Sequence, residues 1–107
     1  MGSYQAHQDL LYYITDRLIN GRPYRRLETE IQYDSNGIIG EVDILLFRDG
    51  IYYLYEIKSG TGKFAKATEQ YIKYCNAYPF KDVRGIYVGA DGVKRMPRHI
   101  GLVCSQS

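Results

Sequence analysis

The sequence predicts an α/β fold in which two helices flank a single mixed sheet. Three observations carry this: helical spacing of apolar residues in two separate segments, alternation of apolar and polar residues in the segments between them, and turn dipeptides that punctuate the alternation. The predicted order is a helix, a three-stranded antiparallel meander, a second helix, then one to three further strands. With 107 residues and no internal repeat, low-complexity tract or linker, the whole chain, residues 1–107, reads as one domain.

Each element has its own warrant. Ser3 to Asn20 is a predicted helix because Leu11, Ile14 and Leu18 recur on one face, Leu10 widens that stripe, and Gly21 with Pro23 stops it. At ~100° per residue His7 lies on the centre line of the stripe while Asp9 and Asp16 lie opposite, so His7 is expected to be the only strongly polar side chain facing inward. Arg26 to Tyr33 alternates, placing Leu27, Thr29, Ile31 and Tyr33 on one face and Glu28, Glu30 and Gln32 on the other. Asp34-Ser35-Asn36-Gly37 then turns the chain. Ile38 to Arg48 and Ile51 to Lys58 are strands joined at Asp49-Gly50, a pair suited to the positive φ angles of a type I′ turn. A second helix is predicted from Lys63 to Tyr78, with Phe64, Ala67, Tyr71, Cys75 and Tyr78 inward and Pro79 as terminator. Val83 to Gly89 and Val93 to Met96 flank Asp91-Gly92 as a second hairpin, and Ile100 to Cys104 is a candidate edge strand.

Composition narrows the class. Hydrophobic residues at 45% and charged residues at 24% describe an ordinary globular chain rather than a disordered one. No apolar run approaches the ~20 residues of a membrane helix. With no secretory leader pattern, the expectation is a soluble cytoplasmic protein. Cys75 and Cys104 lack metal-binding spacing and read as reduced thiols. A net charge of +2 does not by itself announce nucleic acid, although Arg22, Arg25 and Arg26, then Lys63, Lys66 and Lys73, then Lys94, Arg95 and Arg98 form local basic clusters.

The hairpin permits a register calculation. A two-residue loop at Asp49-Gly50 makes cross-strand partners sum to 99, setting Asp43 opposite Glu56 and Glu41 opposite Lys58. Alternation then puts all four on one face, with Leu45, Leu54, Phe47 and Tyr52 nearer the turn. The other face, Ile38, Gly40, Val42, Ile44 and Leu46 against Ile51, Tyr53, Tyr55 and Ile57, is nearly all apolar. Two neighbouring carboxylates repel, and partial burial adds a desolvation penalty unless a cation or shared proton compensates. A solvated rim, with Glu41 paired to Lys58, is one outcome. The other is a site for a hard divalent cation, since Mg²⁺ takes one or two carboxylates and keeps reactive waters, with Lys58 facing the same phosphate.

At these residues the chain resembles a known superfamily. Gly40-Glu41-Val42-Asp43, twelve residues, then Glu56-Ile57-Lys58 resembles the PD-(D/E)XK nucleases, and the predicted element order matches their restriction-endonuclease-like core. Gln70-Tyr71-Ile72-Lys73-Tyr74 is similar to the Gln-x-x-x-Tyr element of the RecB-like branch, and His7 occupies the place of that branch's first-helix histidine. The likeness runs from residue 4 to about 96. Val42 stands where the superfamily name has Pro, and the two distant cysteines cannot build the cysteine-bound cluster that some RecB-like proteins carry.

The resemblance implies Asp43 and Glu56 as metal ligands, joined by the backbone carbonyl of Ile57, with Lys58 as the catalytic lysine. His7 is an added ligand favouring Mn²⁺ alongside Mg²⁺, or a core histidine bonded to a backbone carbonyl. Gln70 and Tyr74, with Lys63, hold DNA or the lysine side chain, or serve helix packing. Glu41 reaches a second metal through water, or pairs with Lys58. The implied activity is metal-dependent hydrolysis of DNA phosphodiesters, with DNA as partner; a homodimer is expected because a 107-residue chain of net charge +2 contacts few phosphates alone. Two alternatives stand beside it: a Holliday-junction resolvase of the same superfamily, and a non-catalytic nucleic-acid-binding or assembly module on the same fold.

Overall fold

The computed structural model describes residues 2–99. Their element order is α1 (Gly2–Ile19), β1 (Arg26–Ser35), β2 (Ile38–Arg48), β3 (Ile51–Ile57), α2 (Phe64–Ala77), β4 (Val83–Gly89) and β5 (Gly92–Arg95). The strands form one five-stranded sheet in the order β1-β2-β3-β4-β5, with β3 and β4 parallel and every other pair antiparallel. This is the expected α/β fold with a mixed sheet. The parallel step follows from α2, since only a crossover returns the chain to the starting end of a neighbouring strand. The expected edge strand from Ile100 to Cys104 lies outside the described residues.

Turn chemistry sets the two β2 hairpins. Asn36 and Gly37 have φ of 54° and 87°, Asp49 and Gly50 of 54° and 80°, and each pair closes a two-residue loop. The Asp34 carboxylate accepts the Gly37 N–H at 2.7 Å, which anchors the first turn. The last hairpin departs by one position from expectation. Gly89 pairs with Gly92, so the loop is Ala90-Asp91, and Gly92, at φ 122°, is already the first residue of β5.

Two cores lie on opposite faces of the sheet. Under α1, Leu11 packs with Ile44, Ile57 and Val88, and Leu10, Ile14 and Leu18 close over them as the periodicity predicts. Under α2, Ala67, Tyr71, Tyr74 and Cys75 pack with Leu45, Leu54, Val83 and Tyr87. Tyrosines fill most of this second core: Tyr33 meets Tyr74 edge-on at 5.1 Å, and Tyr74 lies 4.7 Å from Tyr78.

Strand alternation breaks at one level of the sheet. Leu27 belongs to the α1 core, yet Ile31 and Tyr33 of the same strand belong to the α2 core; likewise Ile44 faces α1 and Val42 faces α2. The expected single inward face of β1, and the shared face of Val42 and Ile44, are therefore corrected. Glu30 lies at the break with φ 51°, and in the otherwise continuous β1–β2 register it stands opposite Asp43, with no ladder pairing between the two. One left-handed residue in a strand inverts the order of faces beyond it.

Candidate functional site

The break in alternation builds the site. The β2–β3 register has partners summing to 99 as the turn predicts, but the ladder runs only from Arg48↔Ile51 to Ile44↔Tyr55. At Asp43 the strands part, and the side chain replaces the missing backbone partner. Asp43 Oδ2 accepts the Ile57 N–H at 2.8 Å, while the next N–H, that of Lys58, turns to the Val88 carbonyl of β4 at 2.8 Å. The expected face-to-face pairing of Asp43 with Glu56 is thus replaced by a split. The Asp43 carboxylate plugs the gap between the strands, and Glu56 stays within β3 beside Tyr87 of β4.

Around the split lies a cleft of about 540 Å³, lined by His7, Glu41, Asp43, Glu56, Ile57, Lys58, Lys63 and Gln70, with Tyr4, Ser59 and Gly60 at its rim. Eight of the nine residues singled out in the sequence therefore converge. The exception is Tyr74, which is 1% exposed in the α2 core, where its hydroxyl accepts a hydrogen bond from Lys81 Nζ at 3.0 Å. One turn beyond Gln70 on the same helix, it faces the sheet rather than the cleft. Ile57 buries its side chain under α1, so the backbone is its contribution to the cleft. Glu41 is exposed and accepts from Gln32 Nε2 at 3.1 Å; no Glu41–Lys58 ion pair forms among the described residues.

Charge within the cleft is unevenly solvated. Glu56 is 2% exposed, and burial, followed by the nearby Asp43 carboxylate, pushes its carboxyl up to about 8 against the opposing pull of Lys58. Its Oε2 is buried without a hydrogen-bond partner, as is Gln70 Oε1 in the same cleft. Asp43 Oδ1 lies 3.5 Å from His7 Nε2, which places the first-helix histidine at the carboxylate rather than on a backbone carbonyl. Lys63 precedes the first turn of α2, and that turn holds no acidic residue, so the positive end of the helix dipole adds to Lys58 and Lys63 at the cleft wall.

The donor set suits a hard divalent cation. Among the described residues no three His, Cys, Asp or Glu side chains form a ready coordination cluster. Mg²⁺ does not need one, because it binds through one or two carboxylates and keeps several waters. Asp43 and the unpartnered oxygen of Glu56 meet that requirement in a cleft roomy enough for the waters.

Sequence reasoning missed Glu30, which stands opposite Asp43, and its partner Gln8. Gln8 is 8% exposed, and its Nε2 donates to Glu30 Oε2 at 3.2 Å, so His7 is not alone among inward polar residues of α1. The signal for Gln8 was present, since it precedes Leu11 by three positions on the buried stripe. Nothing local announced the left-handed backbone of Glu30, which stays exposed as expected and reaches Gln8 of α1.

No protein-family model matches this chain, and no curated protein matches it. Among solved structures it resembles the crystal structure of a protein designated SSO0001, with a TM-score of 0.54 at 15% identity. The likeness covers 94% of this chain and 51% of the other, so the chain spans about half the length of that protein. At this identity the similarity is one of fold.

Proposed function

We propose that this chain is a metal-dependent DNA nuclease of the PD-(D/E)XK type, nearest in pattern to the RecB-like branch. One observation carries the reading: a buried Glu56 carboxylate with an unpartnered oxygen, beside Asp43, where the sheet opens into a cleft bearing Lys58 and Lys63. Leaving a buried acceptor unsatisfied costs about 1–3 kcal/mol. An unsatisfied carboxylate oxygen with a second carboxylate adjacent suits a cation.

A bound Mg²⁺ or Mn²⁺ supplies Lewis-acid polarisation of the scissile phosphate and a more acidic water. The chain does the rest. The Ile57 N–H and His7 fix the Asp43 carboxylate from two sides. Burial holds Glu56 in place and strips it of competing water. Lys58 and Lys63, with the N-terminus of α2, draw the phosphodiester into the cleft, and Lys58 offsets the negative charge that develops during attack. Gln70 offers its free acceptor to the substrate or to the Lys58 ammonium.

The working unit in this reading is a cytoplasmic homodimer on DNA, since a +2 chain has few phosphate contacts to offer alone. Exposed Ile38 and Ile39 near the first hairpin turn supply apolar surface for self-association. Light scattering tests the dimer, and a species of only ~12 kDa at micromolar concentration rejects it. The deciding experiment incubates the protein with single-stranded, duplex and four-way DNA, with and without Mg²⁺ or Mn²⁺, and analyses product ends. Metal-dependent cleavage abolished by Asp43→Ala supports the reading. Cleavage confined to four-way DNA turns it to a junction resolvase, and binding without any cleavage turns it to a non-catalytic module.

A further inference from the structure

Among the described residues α1 covers only part of its sheet face. Alternation along the regular strands β3 and β4 puts Tyr53, Tyr55 and Ile57, and Arg84, Ile86 and Val88, on this face; the α1 core takes in Ile57 and Val88, with Tyr55 and Ile86 packed against it. Among the described residues no helix covers the rest of this face, around Tyr53 and Arg84. Tyr53 lies half-buried on the central strand, the Arg48 guanidinium, which donates to the Pro23 and Arg22 carbonyls, is 5.7 Å from its ring, Arg84 is its direct β4 partner, and Arg95 is the β5 partner of Ile86. A hollow of about 210 Å³ lies beside it, lined by Tyr53, Arg84, Ile86, Arg95 and Arg98 and reaching Tyr71 and Met96 of the α2 core.

We propose that this part of the sheet is a second nucleic-acid surface, a platform on which a base of a single strand stacks against Tyr53 while Arg84 and Arg95 hold its phosphates. Charge complementarity argues for the occupant. Four arginines meet one carboxylate here, that of Asp82, which holds Arg84 and Arg98. Arg95 is exposed and free of any ion pair among the described residues. A tyrosine on an open sheet offers a π-face that every base can use, whereas paired bases keep theirs inside the duplex. The platform lies on the face opposite the α2 core and about 10 Å along β3 from Glu56. It is therefore separate from the cleft and stands whether or not the cleft hydrolyses anything.

The test is fluorescence anisotropy in EDTA with labelled oligothymidylate and oligouridylate of about 15 nucleotides, within the span one small domain covers. Tyr53→Ala should weaken binding roughly tenfold and Tyr53→Phe, which keeps the ring, should not. Arg95→Ala should lower the slope of log affinity against log salt by about 0.7, the value for one phosphate contact on a single strand. Tyr12→Ala, which removes an exposed tyrosine of α1, should leave binding unchanged. Loss on the DNA oligomer, the RNA oligomer or both supports the platform and names its ligand. Wild-type affinity in Tyr53→Ala, or duplex displacing the single strand at equal concentration, overturns it. Should Tyr53→Ala prove unfolded by circular dichroism, the Arg95→Ala slope decides. Asp43→Asn separates the two readings, since it leaves platform binding intact while removing any cleavage.

Discussion

The two ends of the β2–β3 hairpin are made of the same strands and behave differently. At the Asp49-Gly50 end, positive φ angles seat the turn, each ladder pair forms in the predicted register, and Phe47 stacks on Tyr52 at 4.5 Å. At the other end, one step past Ile44↔Tyr55, the ladder stops, Asp43 takes the Ile57 N–H into its carboxylate, and Glu56 is left with an unpartnered oxygen. The tip satisfies its own polar groups. The open end leaves one unsatisfied and collects cations around it. Within a single hairpin, then, local completeness marks the part that supports the fold, and incompleteness marks the part available for chemistry.

The largest effect that sharpens this contrast is on catalysis. Asp43→Ala, Glu56→Ala and Lys58→Ala should each reduce metal-dependent cleavage by about 10²–10⁴-fold with the fold retained, whereas Leu45→Val, nearer the tip, should alter stability alone. Single-turnover rates with matched circular dichroism measure this. Activity within about tenfold of wild type removes that residue from the site.

Packing should break the contrast in the opposite sense. A Cβ on Gly40 would lie 2.3 Å from the Tyr33 ring, which Tyr74 and Tyr78 hold in place. Gly40→Ala is therefore expected to cost about 2–3 kcal/mol. At the tip, Gly50 has open space but φ 80°, so Gly50→Ala should cost only about 1 kcal/mol through backbone strain. Urea denaturation compares the two, and an equal loss would mean that Tyr33 yields.

The pH response follows from Glu56. Its carboxyl is raised from 4.5 to about 8 on folding, so the folded state binds this proton more tightly than the unfolded chain does. The resulting stabilisation is complete below the ordinary carboxylate value and is lost as pH rises through about 8. Without divalent metal, the melting temperature should fall between those limits, and Glu56→Gln should flatten the fall. An identical pH profile for that variant assigns the titration elsewhere.

The smallest effect belongs to His7, at 3.5 Å from Asp43. His7→Ala should weaken Mn²⁺ binding roughly tenfold and Mg²⁺ binding less, as imidazole suits the softer ion. Calorimetric titration with both ions reads it. Equal affinity with a lowered melting temperature would make His7 a packing residue.

Much of this arrangement is legible in one dimension because local rules govern it. Apolar periodicity marks both helices, and Asn36-Gly37 and Asp49-Gly50 mark the two hairpins, since a backbone needing two positive φ angles restricts which residues can stand there. The cross-strand sum of 99 follows from loop length alone, and it brought Asp43, Glu56 and Lys58 to one end of the hairpin. Tyr74 shows where such rules fail. Gln70 and Tyr74 are four apart and share a flank of α2, yet one lies at the cleft and the other in a tyrosine cluster one turn further along the sheet.

The sequence by itself determined the elements, their order and the register of the Asp49-Gly50 hairpin as far as Ile44↔Tyr55, all of which depend on nearby residues, whereas the last turn closes one position early, at Ala90-Asp91. Tertiary structure alone decided three things: the left-handed Glu30, the inversion of faces at Asp43, and the exchange of a backbone partner for a carboxylate at Ile57. The physical reason is that α1 and α2 each demand an apolar face from the same two strands. A regular pleat cannot turn Val42 toward one helix and Ile44 toward the other, so the strands switch faces at the level of Asp43, and the carboxylates gather where the ladder has opened.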